Sequence, residues 1–232
     1  MRPGDIEHVR ALSLFRDVAE DTFAMLLKAG FLQRFPPGVV LIHESDPADF
    51  LHIVMEGMVE MFAHTGERET TVSFVKPIGT FILAAVLKDQ VYLQSARTLE
   101  PSRILMIPSA GVRHAMETDP AFMSAIVTEL ATCYRTTVKD LKNQKLRSGA
   151  ERLANWLIRL DLEQGERGEA EIEVEKRVLA SLLGMTPENL SRAFAALRRH
   201  GVDVQGAHIV ITQREKLLRF ARPNPLIDDY RS

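Results

Sequence analysis

Short apolar runs separated by turn residues fill the chain from residue 35 to residue 108. Pro, Gly and Asp interrupt the runs at short intervals, as in Pro36-Pro37-Gly38. The runs cover residues 39–42, 51–55, 59–62, 71–75 and 103–107. Turn residues at this spacing predict a sandwich or roll of short β-strands. A helix-like stretch at residues 21–29 precedes them.

A longer period begins at Asp119, where Asp119-Pro120 predicts an N-cap followed by the first residue of a helix. Apolar or semi-apolar side chains then recur in steps of four and three residues, which is the heptad seam of a coiled coil. A seam of this length needs a surface to face, either the chain's own β-roll or a parallel partner helix. The unbroken rhythm favours a homodimer. The seam residues are Met123, Val127, Leu130, Tyr134, Thr137 and Leu141, of which all but Thr137 are predicted dimer contacts.

The remaining residues alternate between helical and extended patterns. Residues 150–162 carry one apolar face, residues 171–175 alternate like a strand, and helices are predicted at 176–183 and 187–200 around Gly184-Met185-Thr186. Residues 202–211 then form a strand, a turn and a strand. Helix, Gly turn, helix and hairpin predict a winged helix-turn-helix. The fold class is therefore α+β: a β-roll sensor domain (1–118), a dimerisation helix (119–146) and a DNA-binding domain (147–232).

Composition narrows the class of protein. No apolar run approaches the roughly 20 residues of a membrane helix, and the first residues do not lead into a signal peptide, so we expect no membrane association. The single cysteine, Cys133, cannot form an internal disulfide or hold an iron–sulfur cluster, and a reduced cytoplasmic setting fits best. The chain contains no P-loop, no G-x-S-x-G, no H-E-x-x-H and no dinucleotide fingerprint, so we expect no enzyme.

The net charge of −2 averages over two opposed blocks. Residues 161–175 hold seven acids and one Arg, whereas residues 176–222 hold nine basic residues and three acids. A basic segment in a nearly neutral protein is typical of a face that contacts phosphates. Lys176 and Arg177 at its start are the candidates for such contacts. A solvated charged surface is the alternative reading.

The predicted second helix of the motif presents side chains suited to reading bases. Thr186 is its N-cap and Pro187 its first residue. Glu188, Ser191 and Arg192 share one face because they are three and four residues apart. Arg192 can donate two hydrogen bonds to guanine, Glu188 can accept from cytosine, and Ser191 can do either. With Thr186 they form the predicted DNA-binding set. An ordinary surface helix would also carry Glu and Arg.

Two segments resemble a known family. Residues 41–57 (LIHESDPADFLHIVMEG) are similar to the first half of a cyclic-nucleotide-binding roll, and residues 179–192 (LASLLGMTPENLSR) resemble the helix-turn-helix of the CRP/FNR superfamily. The resemblance covers nearly the whole chain in the family's domain order. It implies a homodimer that binds a palindromic promoter site on double-stranded DNA and influences RNA polymerase. The pattern Glu188-x-x-Ser191-Arg192 resembles the FNR type, which implies TTGAT-like half-sites.

The resemblance also implies an effector pocket in the roll, where the family holds cAMP through a Gly-Glu pair and an Arg-Ser pair. In this chain Thr80 follows Gly79, and Gln94 precedes Ser95. A phosphate without its Arg loses a charge-assisted, bidentate partner, so cAMP is not expected. The predicted effector pocket consists of Gly79, Thr80, Phe81, Ile82, Gln94 and Ser95.

The apolar stretch 81–87 suggests a different ligand. As a pocket rim it would suit haem, and the sequence looks closest to the nitric-oxide-responsive denitrification branch of the superfamily. Haem needs an axial ligand, for which His8 and His64 are the candidates. Plain core without any ligand is the alternative for this stretch. A cyclic-nucleotide-binding regulatory subunit that acts on a protein partner is the alternative for the whole chain, and it would need the missing Glu and Arg.

Overall fold

A computed structural model of the chain describes residues 3–229, which divide between Cys133 and Tyr134 into two units. None of the helices within those residues is long and apolar enough to cross a membrane. The division falls inside one continuous helix, so residues 119–146, predicted as a separate dimerisation segment, contribute to both units.

The apolar runs of the first unit form two antiparallel four-stranded sheets. One sheet has the strand order β1-β8-β3-β6 and the other β2-β7-β4-β5. All five predicted runs lie in strands, and the predicted roll is confirmed. In chain order the elements are α1 (Pro3–Arg10), α2 (Glu20–Ala29), β1 (Phe31–Phe35), β2 (Val40–Ile42), β3 (Phe50–Glu56), β4 (Val59–Thr65), β5 (Arg68–Val75), β6 (Gly79–Phe81), α3 (Leu83–Lys88), β7 (Ser95–Thr98), β8 (Ser102–Pro108), α4 (Ser109–Thr118) and the beginning of α5 (Pro120–Leu146).

A single hydrophobic core takes side chains from both sheets and from the surrounding helices. Ile53 of β3 and Ile104 of β8 are completely buried in it. Phe122 and Ile126 of α5 are buried in the same core, and the ring of Phe122 stacks on that of Phe15 with centroids 6.1 Å apart. The beginning of α5 is therefore a structural part of the roll.

Residues 83–88 depart from the sequence prediction. They were expected to belong to the β segment and to line a ligand pocket with Phe81 and Ile82, but they form helix α3. Leu and Ala are strong helix formers, and Leu83 and Val86 lie one turn apart on the face that packs into the core. The prediction of an apolar pocket rim over residues 81–87 is wrong for Leu83 and Val86, because their side chains are already covered by the protein's own core, whereas Ala84 is exposed.

The second unit contains the predicted helix-turn-helix and wing. Its three-stranded antiparallel sheet has the order β10-β11-β9. Its elements after the end of α5 are α6 (Gly149–Glu163), β9 (Glu169–Glu171), α7 (Lys176–Leu182), α8 (Pro187–Leu197), a 3₁₀ turn (Arg198–His200), β10 (Val202–Gln205), β11 (His208–Ile211), α9 (Arg214–Ala221) and α10 (Pro225–Asp228).

The strand predicted at residues 171–175 lies two residues earlier, as β9. Its partner β11 begins at His208, which pairs with Glu171. The amide of Ile172 still donates to the carbonyl of Ala207, but Ala207 belongs to the turn between β10 and β11 rather than to a strand. No residue of β11 lies opposite residues 173–175. The alternation of apolar and polar residues continues through them, but they form no strand.

The last described residues fold back onto the end of α5, which the sequence did not predict. The Arg147 guanidinium donates two hydrogen bonds to the Asp228 carboxylate, at 2.7 and 2.6 Å, and its side chain is only 7% exposed. Lys142 donates to the carbonyl of Leu226 at 3.0 Å, and Lys139 to that of Asp229. We call residues 224–229, with these contacts, the C-terminal strap.

The carboxylate of Asp119 fixes the start of two helices. Its Oδ1 accepts from the amides of Ala121 and Phe122 at the beginning of α5, which confirms the predicted cap, and its Oδ2 accepts from the amide of Ala19 before α2. Burial opposes ionisation, but hydrogen bonds from Ala19, Phe122, the Thr22 side chain and Ala121 outweigh it, so the pKa of Asp119 lies below its usual value.

We predict that Asp119→Ala lowers the free energy of unfolding of the first unit by about 1–2 kcal/mol at neutral pH, because both helix starts lose their acceptor. A carboxyl with a depressed pKa stabilises the fold above its unfolded pKa and loses this effect as the pH falls through its folded pKa. The difference between variant and wild type should therefore shrink in acid. Urea unfolding followed by circular dichroism at several pH values measures this.

The control for this experiment is Glu117→Ala, which removes an exposed acid two residues away. It should change stability by less than about 0.5 kcal/mol. A pH-independent loss of stability in Asp119→Ala would contradict the assigned role of the ionised carboxylate.

Candidate nucleic-acid interface and effector region

A tight turn sets the geometry of the helix-turn-helix. Gly184 has a φ of +62°, a left-handed conformation that glycine adopts at the lowest cost. Its amide donates to the carbonyl of Ser181, and the amide of Met185 donates to that of Ala180. These bonds end α7 at Leu182 and direct the chain into α8, which begins after four intervening residues.

Local chemistry also fixes the start of α8. Thr186 has an extended backbone, and its hydroxyl oxygen accepts from the amide of Asn189 at 3.3 Å. Pro187 occupies the first helical position, where its missing amide hydrogen costs nothing. Leu190 and Phe194 are buried on the inner face of the helix. The predicted cap is confirmed, and the opposite face of α8 is left to solvent.

That outer face carries the three predicted base-reading residues. Glu188, Ser191 and Arg192 are all exposed. A hydrogen bond from the Thr186 hydroxyl lowers the pKa of Glu188, with smaller contributions from its own backbone and from the positive charge of Arg192, so Glu188 is ionised at neutral pH. The Ser191 hydroxyl donates to the carbonyl of Pro187 at 3.0 Å. Its proton is therefore committed within the helix, and its oxygen stays available as an acceptor.

Basic side chains flank this face. Lys176 and Arg198 border a cavity of about 240 Å³ together with Ser191 of α8 and Val204 of the wing. Neither cation has a carboxylate partner within the part of the chain that the structure describes. Sequence reasoning counted Arg198 in the basic block without singling it out. The only available signal was its place eleven residues after Pro187, within the predicted helix 187–200; in the structure Arg198 begins the 3₁₀ turn after α8.

Lys176 and Arg177 occupy the first turn of α7 and are exposed. Cations at the N-terminus of a helix oppose its dipole, so these two positions gain nothing for helix stability. Their presence there is more readily explained by an anionic partner than by the fold. Both residues lie where the sequence predicted phosphate contacts.

The six predicted effector residues are divided between the two sheets of the first unit. Phe81 ends β6 in one sheet, where it is buried and stacks on the ring of His52 at 5.1 Å. The Thr80 hydroxyl donates to Glu129 of α5 at 2.7 Å. Gly79 and Thr80 precede Phe81 in β6, Ile82 follows it with a positive φ, and Gln94 and Ser95 lie at the start of β7 in the other sheet.

Sequence reasoning missed a residue beside Gln94. The register that pairs Ile42 with Ala96 places Glu44 across from Gln94 when continued by two residues, and the Ser95 hydroxyl accepts from the amide of Glu44 at 2.9 Å. Glu44 Oε2 and Gln94 Oε1 are buried, and neither has a hydrogen-bond partner within residues 3–229. Gln94, with an unpaired acceptor oxygen, thus stands at the position for which the resemblance implied a phosphate-binding cation, and Glu44 adds a second unpaired oxygen in the same region.

The histidines of the first unit differ in environment. The two predicted axial ligands, His8 on α1 and His64 on β4, are both exposed. His52 is 3% exposed, and burial lowers its pKa to about 4, so its imidazole is neutral at physiological pH. Its Nδ1 has no hydrogen-bond partner among the described residues. The buried histidine was not one of the two predicted ligands, although its place in the apolar run of residues 51–55 was a local sign of burial.

Helix α5 has two apolar faces rather than one. Phe122 and Ile126 pack into the core of the roll, while the predicted seam lies on another face and is largely exposed. Leu130 is half-buried against the core. The seam also includes Val138, which was not predicted. The exposed fractions are 37% for Met123, 56% for Val127, 71% for Tyr134, 37% for Val138 and 54% for Leu141.

Comparisons with known proteins agree with both halves of this arrangement. Residues 32–119 match the family described as the cyclic nucleotide-binding domain, and residues 151–220 match the Crp-like helix-turn-helix domain. A cAMP-activated, CRP-like global transcriptional regulator of Mycobacterium tuberculosis is 24% identical over 215 residues, which are 90% of this chain and 96% of that protein.

Solved structures are similar over nearly the full length. A Ruegeria pomeroyi protein whose structure is described as that of a cyclic nucleotide binding protein is 27% identical, with a TM-score of 0.62, over 96% of this chain and all of that one. A Eubacterium rectale protein assigned to the Crp/Fnr family of transcriptional regulators has a TM-score of 0.75 at 16% identity, over 91% of this chain and 99% of that one. The second likeness supports the fold alone.

The family consists of transcription regulators rather than enzymes, in agreement with the absence of catalytic motifs from the sequence. The assignment to a family rests on the order of the two matched domains, on the capped helix α8 and on the hairpin that follows it. This chain belongs to the CRP/FNR family of transcription regulators, with a cyclic nucleotide-binding domain followed by a Crp-like helix-turn-helix.

Proposed function

We propose that this protein is a homodimer that reads a TTGAT-like palindrome in promoter DNA with helix α8. The observation that carries the proposal is the outer face of α8, where Glu188, Ser191 and Arg192 are exposed while Leu190 and Phe194 hold the opposite face in the core. The N-terminal turns of such a helix enter the major groove in helix-turn-helix proteins. The three side chains therefore meet base edges.

Each side chain has one task in this proposal. The Arg192 guanidinium donates to O6 and N7 of the guanine in the half-site, and the ionised Glu188 carboxylate accepts from N4 of a cytosine. The Ser191 hydroxyl, whose proton is held by the Pro187 carbonyl, serves as an acceptor only. Thr186 acts through the cap that positions Glu188, rather than by touching a base itself.

The surrounding cations supply affinity without sequence preference. Lys176, Arg177 and Arg198 are exposed beside the reading face, and the first and last of these line the cavity that α8 shares with the wing. Contacts from Lys and Arg to phosphates fix the position of the protein on the duplex. They also make binding dependent on salt.

The exposed seam of α5 supports the dimer. Val127, Tyr134 and Leu141 would each cost free energy if they faced water, and a parallel partner helix removes them from it. Two reading helices roughly 34 Å apart match half-sites separated by one turn of DNA. Binding at a promoter then brings RNA polymerase within reach as the protein partner that the family implies.

We further propose that the effector of the first unit is not cAMP. The relative from M. tuberculosis is described as cAMP-activated, but at 24% identity its ligand does not carry over. A phosphate entering at Gln94 would find an uncharged amide instead of a cation, and the unpaired acceptor oxygens of Gln94 and Glu44 lie buried in this region. These acceptors favour an effector that donates hydrogen bonds.

Haem does not fit the residues predicted for it. Leu83 and Val86 of the apolar stretch are packed in the core, and Phe81 stacks on His52. His8 and His64, the two predicted axial ligands, lie on exposed positions outside that core. We therefore assign no step of regulation to haem, and a nitric oxide signal would need another receptor group.

For the effector we predict that calorimetry detects no binding of cAMP to the full-length wild-type protein, and that cAMP leaves its DNA affinity unchanged. Gln94→Arg should gain weak cAMP affinity because it restores a cation for the phosphate, whereas Gln90→Arg should not. Micromolar binding by the wild type would refute this. A stoichiometric haem absorbance band that disappears in His8→Ala or His64→Ala would show instead that the protein binds haem through that histidine.

For base reading we predict that Arg192→Ala costs about 1–3 kcal/mol per half-site and relaxes the preference at the guanine. Glu188→Ala should mainly loosen discrimination, since removing an acid also reduces repulsion from phosphates. Lys176→Ala and Arg198→Ala should weaken all duplexes about equally and lower the salt slope. Gel shifts on duplexes varied at each half-site position, at two salt concentrations, separate these effects.

The matched control is Arg199→Ala, which removes an exposed Arg from the 3₁₀ turn after α8 without touching its first turns. It should leave the base preference at the guanine unchanged. If Arg192→Ala also preserves the preference, α8 does not read that base pair and the proposal is wrong.

For the dimer we predict that Val127→Glu weakens self-association at least about tenfold, because two carboxylates would be buried in an apolar seam without partners. Thr132→Glu is the matched control. It lies half a turn from the seam, and Thr132 is already exposed, so the dimer should persist. Sedimentation of wild type as a monomer at micromolar concentration would contradict the proposed seam.

A further inference from the structure

A second cavity, of about 400 Å³, lies in the C-terminal unit away from the reading face. It is formed by the first turn of α6, the 3₁₀ turn after α8, and α9 with the residue that ends it. His200 forms part of the wall of this cavity. It lies eight residues after Arg192, which corresponds to roughly 12 Å along the helix axis. The lining residues are Glu151, His200, Lys216, Arg219, Phe220 and Arg222.

The cavity is strongly basic. Lys216 and Arg219 share one face of α9, and Arg222 follows at the end of the helix. All three are exposed, and within residues 3–229 none of them has an ion pair or a side-chain hydrogen bond. Like charges grouped in this way repel one another. Such a cluster is unfavourable for the fold alone, and an anion would relieve the repulsion.

The one carboxylate in the wall is already engaged. Glu151 Oε2 accepts from the amide and the hydroxyl of Ser148, both at 2.8 Å, which completes the capping box of α6. These two bonds lower the pKa of Glu151, and the charges of Arg222 and Arg147 lower it further. Three cations therefore face one carboxylate whose acceptor capacity is partly used.

An aromatic pair closes the cavity on the side of His200. The rings of His200 and Phe220 stack with centroids 4.3 Å apart and an interplanar angle of 24°. His200 Nε2 is buried, and it has no hydrogen-bond partner in the described part of the chain. A buried polar atom without a partner costs free energy, which an oxygen of a bound ligand could recover.

We propose that this cavity binds a small phosphorylated anion of the pyrophosphate class. Its volume falls within the range of small-molecule sites. Lys and Arg side chains are the usual protein ligands of phosphate oxygens. His200, whose Nε2 is buried without a partner among the described residues, lines the same cavity. One wall of the cavity is a partly buried aromatic pair, and its volume is sufficient for a compact ligand.

The test is calorimetry of the full-length protein with inorganic pyrophosphate at low salt. We expect sub-millimolar binding by the wild type and at least tenfold weaker binding by the double variant Lys216→Ala/Arg219→Ala. His200→Phe keeps the stacking but removes the nitrogen, and it should weaken binding several-fold. The charge-matched control Arg16→Ala/Lys88→Ala removes two exposed cations of the first unit and should bind as the wild type does.

Thermal unfolding of each variant shows whether the C-terminal unit remains folded, and only folded variants enter the comparison. His200→Phe and the double variant change different residues. If one of them does not fold, the other still tests the proposal. No binding by the wild type overturns the proposal, as does equal binding by the wild type and both folded variants. It is also overturned if pyrophosphate does not bind while the double variant weakens all DNA duplexes and lowers the salt slope, since the cations would then contact the DNA backbone.

Discussion

Burial of one face of helix α5 in the roll is the constraint on which the rest of the structure depends. Phe122 and Ile126 enter the core and Asp119 holds the first turn, so the helix cannot rotate about its axis without losing both. This fixes the direction in which Met123 and Val127 point. The core of the roll therefore decides which side chains of α5 remain exposed, and the proposed dimer would need no separate device to orient the seam.

The DNA-binding half could be predicted closely because its signals are local. The cap at Thr186, the proline after it and the left-handed glycine at position 184 each act within four residues, so the sequence indicates where α8 begins. The strand β9 was misplaced by two residues for the opposite reason. Alternation at residues 171–175 is real, but the length of a strand depends on its partner, and β11 ends its pairing at His208.

The sensor half was predicted less well, since the decisive contacts join distant positions. An apolar stretch such as residues 81–87 has the same composition whether it lines a pocket or fills a core, and only the packed fold shows that Leu83 and Val86 do the latter. The amide of Glu44 binds the side chain of Ser95, next to Gln94, across some fifty residues of sequence. That an oxygen of Glu44 and one of Gln94 both lack a partner within residues 3–229 cannot be read from either segment alone.

The C-terminal strap has a consequence for how the protein is made. Arg147 and Asp228 are 81 positions apart, and a chain is synthesised from its N-terminus at about 5–20 residues per second. Asp228 is therefore synthesised roughly 4–16 s after Arg147, and the ion pair cannot form before then. The roll can fold while translation continues, but the winged helix reaches its final set of contacts only after Asp228 has been synthesised. A nascent chain that stops before Asp228 would lack this ion pair.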